Sequence, residues 1–312
     1  HLGPSIAGRT IPKMINFPEI TAKQLKGEIL YSPKWDHGLI HNSQIFLEHS
    51  LIYSLNKDLR SKVKNNIEFA ASRNQDLKVT QLDSDTFIAM NEGSGTWGHW
   101  LVHNLPRILL FNDFCPEGLI ILPQQYKTEK YKGCLEILDY FRIPQDRIIF
   151  LPESGLLSCN TTWVIDLPFY EGLPHPIVFE YFDRLTKSLR QTSKGTKKEV
   201  TFVKRLSERR NIENWNDVEK LLHSINANIA TTSGSVHDQI EVWSNSPSVA
   251  GVLGSDLTNM LLHKPQKLFV ISPRWFGDSF FFGIAACLGI EWNEFVCNDD
   301  SLAVPRNPKH LS

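Results

Sequence analysis

Short apolar runs alternate with longer amphipathic segments along the chain from about residue 80. Apolar runs of five or six residues are typical of buried β-strands, and the segments between them repeat apolar residues at helical spacing. This alternation predicts an α/β fold with βαβ units and a parallel sheet, whereas the first eighty residues are less regular. The predicted strands are 85–90, 119–123, 147–152 and 162–166, and the predicted helices are 97–113 and 127–142.

The alternation restarts after a polar, lysine-rich stretch at 192–198. We place a domain boundary there, between an N-terminal domain, 1–191, and a C-terminal domain, 192–312. The second domain has the element order of a complete nucleotide-binding fold, and its last helix is a candidate to pack back on the first domain. After a long amphipathic helix at 176–191, the predicted strands are 199–205, 227–232, 248–254 and 267–273, and the predicted helices are 214–225, 235–245 and 256–263.

Composition excludes several classes of protein. A chain of 312 residues fits two halves of about 150 residues. The net charge of -1 provides no broad positive field, which argues against nucleic-acid binding as the main task. The longest apolar stretch, 280–290, is shorter than the roughly 20 residues that a membrane span needs.

Cysteine usage bears on the compartment. The five cysteines are odd in number and have neither metal-ligand nor redox-pair spacing, which favours a reducing compartment. We therefore expect a cytoplasmic protein, free or membrane-associated. The Golgi or ER lumen is the alternative if an N-terminal anchor has been removed, because the chain begins at His1. A homodimer is compatible with the sequence.

The loop after strand 199–205 carries candidate phosphate ligands. Open parallel sheets bind ligands beyond the carboxyl ends of their strands. Here Arg205, Arg209 and Arg210 come together where a strand gives way to a helix, and guanidinium groups in such a place suit phosphate. A solvated basic loop is the alternative interpretation.

A second loop, after strand 248–254, is rich in small residues. Gly251 and Gly254 bracket the strand end, so a phosphate or ribose could approach the backbone closely. Thr258 and Asn259 begin the next helix, where they could contact ribose or phosphate, or could cap the turn. A tight strand-to-helix turn that binds nothing is the alternative for the whole loop.

The helix at 97–113 carries a polar face on which His99, His103 and Arg107 recur every four positions. A histidine titrating near neutrality can take the proton of an attacking hydroxyl; His103 is the first candidate and His99 the second. Glu92 could orient an imidazole or act as the base, or lie in a surface turn. Each histidine could instead satisfy a buried hydrogen bond. We expect no metal, because a metalloprotease glutamate is missing from the His-x-x-x-His pair.

Three segments in this order and spacing resemble glycosyltransferase family 61. The family includes plant xylan-modifying glycosyltransferases, protein O-GlcNAc transferases and bacterial capsular polysaccharide enzymes. The segments are GHWLVHNLPRILL at 98–110, RLSERRNIEN at 205–214 and HDQIEVWSNSPSVAGVLGSDLTNMLLHKP at 237–265.

The resemblance implies a GT-B fold, in which two Rossmann-like domains face each other across a cleft. It also implies an inverting transfer from a nucleotide sugar, which we expect to be a UDP-sugar, to a glycan or protein hydroxyl, as in polysaccharide biosynthesis. The C-terminal domain would hold the nucleotide, with positive side chains in place of a metal and no further cofactor. The donor-binding candidates are Arg205, Arg209, Arg210, Gln239, Gly254, Ser255, Asp256, Thr258 and Asn259, and the acceptor-side candidates are Trp100 and Arg107.

Two departures from the family pattern leave an alternative open. The family commonly has His-Gly-Ala-Gly at the positions of 253–256, where this chain has Leu-Gly-Ser-Asp, and an acidic residue at the position of His103. The alternative is a catalytically silent relative that binds a nucleotide sugar or acts as a scaffold. A nucleotide-sugar epimerase or dehydrogenase is disfavoured, because no G-x-G-x-x-G follows an early strand.

Overall fold

The computed structural model describes most of the chain between residues 79 and 297 and short stretches before it. The described residues are 17–20, 22–32, 38–41, 44–47, 79–89, 96–151, 155–170, 172–189, 198–205, 212–232, 235–244, 246–273 and 279–297. They belong to two compact units, one within Phe17–Glu171 and one within Gly172–Ser312. The expected domain boundary between residues 191 and 192 stays a prediction, because 190–197 lie outside the described residues.

The first unit is built on a mixed sheet. Its seven described strands are β1 (Ala22–Ser32), β2 (Gly38–His41), β3 (Gln44–Leu47), β4 (Val79–Ile88), β5 (Leu119–Pro123), β6 (Ile148–Leu151) and β7 (Gly155–Ile165). They lie in the order β3-β2-β1-β7-β4-β5-β6. The pairs among β4, β5, β6 and β7 are parallel, as predicted. The pairs that involve β1, β2 or β3 are antiparallel.

The antiparallel part of this sheet was not predicted. Strand β1 pairs with β7 along its length, from Ala22 opposite Ile165 to Tyr31 opposite Gly155. Backbone pairing on both sides keeps β7 extended well before residue 162, where its predicted strand begins. Strand formation depends on such neighbours more than on side-chain pattern, so the first eighty residues gave no clear signal.

The helix predicted at 97–113 is present but is not regular. It begins as a short α-helical turn at Trp97–His99, becomes π-helical at Trp100–Asn104 and continues as α1 (Leu105–Phe114). The change coincides with Pro106, which has no backbone N–H to donate to the helical ladder. The remaining elements of this unit are Gln124–Lys127, Glu129–Tyr131 and Gln145–Arg147 as 3₁₀-helices, α2 (Lys132–Tyr140) and β8 (Phe169–Tyr170).

The second unit contains a parallel sheet of five described strands. After the short β9 (Leu173–Pro174), they are β10 (Val200–Lys204), β11 (Asn228–Thr231), β12 (Ser248–Val252), β13 (Lys267–Pro273) and β14 (Glu291–Cys297). Their order is β11-β10-β12-β13-β14, and every neighbouring pair is parallel. This confirms the predicted βαβ organisation and an α/β fold compatible with a Rossmann-like unit.

Helices connect these strands. They are α3 (Pro176–Leu189), α4 (Trp215–Ser224), α5 (Val236–Ser244), the 3₁₀-helix Ser255–Leu261 and α6 (Phe280–Leu288). The α-helix predicted at 256–263 is therefore a 3₁₀-helix. No helix was predicted at α6 and no strand at β14. Helix α6 is apolar around most of its circumference, so its sequence has no amphipathic period.

The start of α5 is a capping box formed by Ser235 and Asp238. The hydroxyl of Ser235 accepts a hydrogen bond from the Asp238 N–H at 3.1 Å, and the Asp238 carboxylate accepts one from the Ser235 N–H at 3.0 Å. Hydrogen bonds from Ser235 lower the pKa of Asp238. Local sequence therefore fixes where this helix begins.

A helix that crosses a bilayer needs roughly 20 predominantly apolar residues. Among the described residues, no helix combines the length and the apolar character needed to cross a membrane.

Candidate functional site

Strands β10 and β12 meet at the point where the strand order of the second unit reverses. From β10 the chain crosses to β11 on one side and then to β12 on the other. Val203 lies opposite Gly251 in the parallel pairing, so the carboxyl ends of the two strands are adjacent. Open α/β sheets bind ligands at such a switch point. Arg205 follows β10 here, and Gly254 lies two residues after β12.

The guanidinium of Arg205 packs directly on the backbone of Gly254. A Cβ atom at position 254 would lie 1.7 Å from Nη1 of Arg205 and 3.0 Å from its Cζ atom. Any side chain at this position would therefore displace the guanidinium. At Gly251 a Cβ atom would lie 3.3 Å from the backbone oxygen of Val203. The two glycines thus serve different purposes: Gly254 admits the Arg205 side chain, and Gly251 admits the neighbouring strand.

The buried nitrogens of Arg205 are poorly satisfied. The side chain is 14% exposed. Its Nε and Nη1 atoms are buried and have no hydrogen-bond partner within the described part of the chain. Nη1 lies 3.8 Å from Oδ2 of Asp256, which is an ion-pair distance but too long for a hydrogen bond. A desolvated guanidinium with unused donors is a favourable place for an anionic ligand.

Asp256 is held on its other side by Thr232. The Thr232 hydroxyl donates to Oδ1 of Asp256 at 2.5 Å. Thr232 follows β11, so the third strand end of this edge also contributes to the site. Thr232 was not among the predicted site residues. Its position at a strand end, in the predicted strand 227–232, was the available signal.

The remaining donor-side candidates of this unit are occupied internally. Thr258 donates to the Ser255 carbonyl at 2.5 Å, a bond inside the turn that caps no helix end. Asn259 donates to the side-chain oxygen of Gln239 at 3.1 Å, and both side chains are buried. This bond ties α5 to the turn after β12. Trp243 is fully buried and belongs to the core.

Three predicted site residues cannot be placed. Arg209, Arg210 and Glu92 lie outside the described residues. Their roles stay predictions.

The first unit contains the histidine pair. Nδ1 of His99 lies 3.0 Å from Nδ1 of His103, and the ring centroids are 4.7 Å apart. His103 is 2% exposed and meets the ring of Phe169 edge-on at 5.0 Å, whereas His99 is partly exposed. The π-helical turn carries His103, and π-helical segments are frequent at functional sites.

The acceptor-side candidates lie deeper than the histidines. Arg107 is fully buried; its Nε donates to the His103 carbonyl at 3.1 Å, and its Nη2 donates to Oδ1 of Asn104 at 2.8 Å. Trp100 is also fully buried and packs against Tyr126, with ring centroids 5.1 Å apart. Arg107 thus reinforces the π-helical turn. The acceptor-side role of both residues remains a prediction.

One group of side chains in the described residues has metal-binding geometry. His237, Asp238 and Glu241 place one potential ligand atom each within 4.8 Å of the others. All three are exposed, and Asp238 is engaged in the capping box. Exposed groups of this kind commonly bind no metal.

These features define an α/β protein that carries an arginine at the switch point of a parallel sheet. The family model for Glycosyltransferase 61 matches residues 97–270, more than half of the chain, and the chain belongs to this family. The match confirms the resemblance and includes both the histidine pair and the Arg205–Gly254 contact. Membership implies glycosyltransferase activity, with a sugar donor and an acceptor. No curated protein matches the sequence.

Proposed function

We propose that the protein is an inverting, metal-independent glycosyltransferase of the GT-B type. It transfers a sugar from a nucleotide sugar to a glycan or protein hydroxyl in polysaccharide biosynthesis. The proposed donor is a UDP-sugar. The observation that carries the proposal is the Arg205 guanidinium, which rests on Gly254 at the switch point with Nε and Nη1 buried and without acceptors in the described structure.

Arg205 would bind the diphosphate of the donor. Charge-assisted hydrogen bonds to phosphate oxygens would satisfy Nε and Nη1. When the bond between the anomeric carbon and the phosphate oxygen breaks, its electron pair stays on the departing diphosphate. A fixed positive charge stabilises that developing charge, and this does not require a metal ion or a further cofactor.

The histidine pair would receive the proton of the acceptor hydroxyl. The hydroxyl oxygen attacks the anomeric carbon from the side opposite the leaving phosphate, which inverts its configuration, and the proton passes to an imidazole nitrogen. His99 is the more accessible ring and the better candidate for direct contact. His103 would then orient it through the Nδ1 contact, which reverses the order of candidates given by the sequence.

The GT-B part of the proposal rests on the family, which implies two Rossmann-like domains. The odd number of cysteines, with neither metal-ligand nor redox-pair spacing, favours action in the cytoplasm.

The proposal is tested with a panel of nucleotide sugars and a mixture of glycan and peptide acceptors. Release of nucleoside diphosphate is measured for the wild type and for Arg205→Met, which keeps an unbranched side chain and removes the charge. Turnover with at least one donor, lost in Arg205→Met, is expected. Absence of both turnover and nucleotide binding with every donor would reject the proposal.

A catalytically silent relative is the second candidate, and the burial of His103 favours it. Such a protein would bind nucleotide at Arg205 without transferring the sugar. A nucleotide-induced rise in unfolding temperature with no released diphosphate would identify it. A measurable rate that His99→Ala abolishes would exclude it.

A further inference from the structure

A negative side chain stands inside the proposed anion site. Oδ2 of Asp256 lies 3.8 Å from Nη1 of Arg205, and Oδ1 accepts the hydroxyl of Thr232. The carboxylate therefore faces the guanidinium and is held in place from behind. Its side chain is 27% exposed, so the pair is only partly screened by water.

The geometry leaves two buried hydrogen-bond donors of the guanidinium without an acceptor in the described part of the chain. At 3.8 Å the carboxylate provides charge but no hydrogen bond, and Nε and Nη1 of Arg205 find no acceptor elsewhere among the described residues. A ligand oxygen at hydrogen-bond distance would satisfy these donors. It would then lie close to the carboxylate of Asp256, and each additional negative charge on the ligand would increase the repulsion.

The substrate and product of sugar transfer differ in that charge. Both phosphates of a nucleotide sugar are diesters with one negative charge each. After transfer, the terminal phosphate of the nucleoside diphosphate is a monoester that carries about −1.5 to −2 at neutral pH. Asp256 therefore penalises the product more than the donor.

We propose that Asp256 is a charge-selective residue that weakens binding of the nucleoside diphosphate product relative to the nucleotide-sugar donor and so promotes product release. This inference rests on the proposed function, because it requires the ligand to be a nucleotide sugar bound at Arg205. The carboxylate acts through repulsion across the site, and it takes no part in breaking or forming bonds.

The test uses two probes that share base and ribose. UDP carries a terminal phosphate monoester, and its β-methyl ester carries a diester at the same position. If the donor panel identifies another base, the same pair is made with that base. Affinities are measured by titration calorimetry for the wild type and for Asp256→Asn, which keeps an oxygen for Thr232 and removes the charge. Asp256→Ser serves as a second variant if the Asn variant unfolds.

A matched control removes the same charge from the opposite edge of the sheet. Glu291 begins β14 and pairs with Lys267, which begins β13, at 3.3 Å on the surface. Glu291→Gln is expected to leave both affinities unchanged. Arg205→Met is expected to abolish binding of both probes, and this locates the measured binding at Arg205.

Asp256→Asn is expected to tighten UDP binding about tenfold and binding of the methyl ester by a clearly smaller factor. If Asp256→Asn bound both probes more tightly by the same factor, Asp256 would not select by charge. An unchanged or weaker affinity for UDP would overturn the proposal. In either of those two cases, the proposed function still holds if Arg205→Met abolishes nucleotide binding. If no variant binds any nucleotide, both proposals fail.

Discussion

The Nδ1 atoms of His99 and His103 lie 3.0 Å apart, so one ring donates and the other accepts. This requires one Nδ1 without a proton, so at least one of the two imidazoles is neutral when the bond is made. His99 ends the short α-helical turn, and His103 lies in the π-helical segment that follows it. The partly exposed ring of His99 is thus in direct contact with the buried ring of His103.

Substitutions in this pair are expected to separate chemistry from orientation. His99→Ala should lower kcat by about two orders of magnitude or more with little change in donor affinity, because general-base catalysis contributes on that scale. His103→Asn keeps a polar group near Nδ1 and should retain more activity than His103→Ala. Steady-state kinetics and separate nucleotide titrations give the comparison. Equal loss in the two His103 variants would contradict an orienting role.

Gly254→Ala is expected to impair binding far more than folding. The new methyl group would occupy the position of the Arg205 guanidinium, which is the mobile end of a long side chain and can move away at modest cost. Nucleotide affinity should fall at least about tenfold, the scale of one lost charge-assisted hydrogen bond. Gly251→Ala is the control, because its methyl group would contact a backbone oxygen of the neighbouring strand and leave Arg205 in place. Unchanged nucleotide binding by Gly254→Ala would refute the assignment.

Arg107→Ala is expected to destabilise the first unit by about 2–4 kcal/mol. The substitution leaves a cavity and removes the donors to the His103 carbonyl and the Asn104 side chain. Arg107→Lys should recover only part of this loss, because an ammonium group cannot reproduce the fork of the guanidinium. Lys132→Ala removes an exposed cation paired with Glu129 and should cost under about 1 kcal/mol. Denaturant unfolding monitors all three. If Arg107→Ala lowered the free energy of unfolding by less than Lys132→Ala does, Arg107 would have no structural role.

The capping box of α5 gives a prediction for stability and its pH dependence. Ser235→Ala should cost about 1 kcal/mol. Ser244→Ala, at the other end of the helix, should stay within about 0.5 kcal/mol, because its hydroxyl bonds only a local carbonyl. Hydrogen bonds from Ser235 lower the pKa of Asp238 in the folded protein. The ionised carboxylate of Asp238 therefore contributes its full stabilisation above the ordinary aspartate pKa of about 3.9. This stabilisation is lost as the pH falls through the lowered pKa.

The pH dependence is measured with Asp238→Asn. Its stability should differ from that of the wild type at neutral pH, and the two should converge in acid below about pH 4. Urea unfolding followed by circular dichroism at a series of pH values provides the comparison. A difference that is constant across this range would mean that the charge of Asp238 does not contribute.

The proposed donor site was predictable in its parts because it is built from strand ends. Arg205 and Gly254 stand beyond two predicted strands, and parallel pairing brings such positions to one edge. Their direct contact was not predictable, since it depends on the register of β10 against β12. The Thr232–Asp256 bond was missed for the same reason, because it joins residues from different loops.

By itself, the sequence determined the family, the alternation of strands and helices after residue 80 and the capping box, because each of these depends on residues close together in the chain or on a recognisable motif. Only the tertiary structure decided the antiparallel strands β1 to β3 and the burial of Arg107. These features depend on backbone pairing and packing between distant segments, and no local pattern of side chains records them. The same is true of the facing charges of Arg205 and Asp256, which are separated along the chain and meet only when the sheet forms.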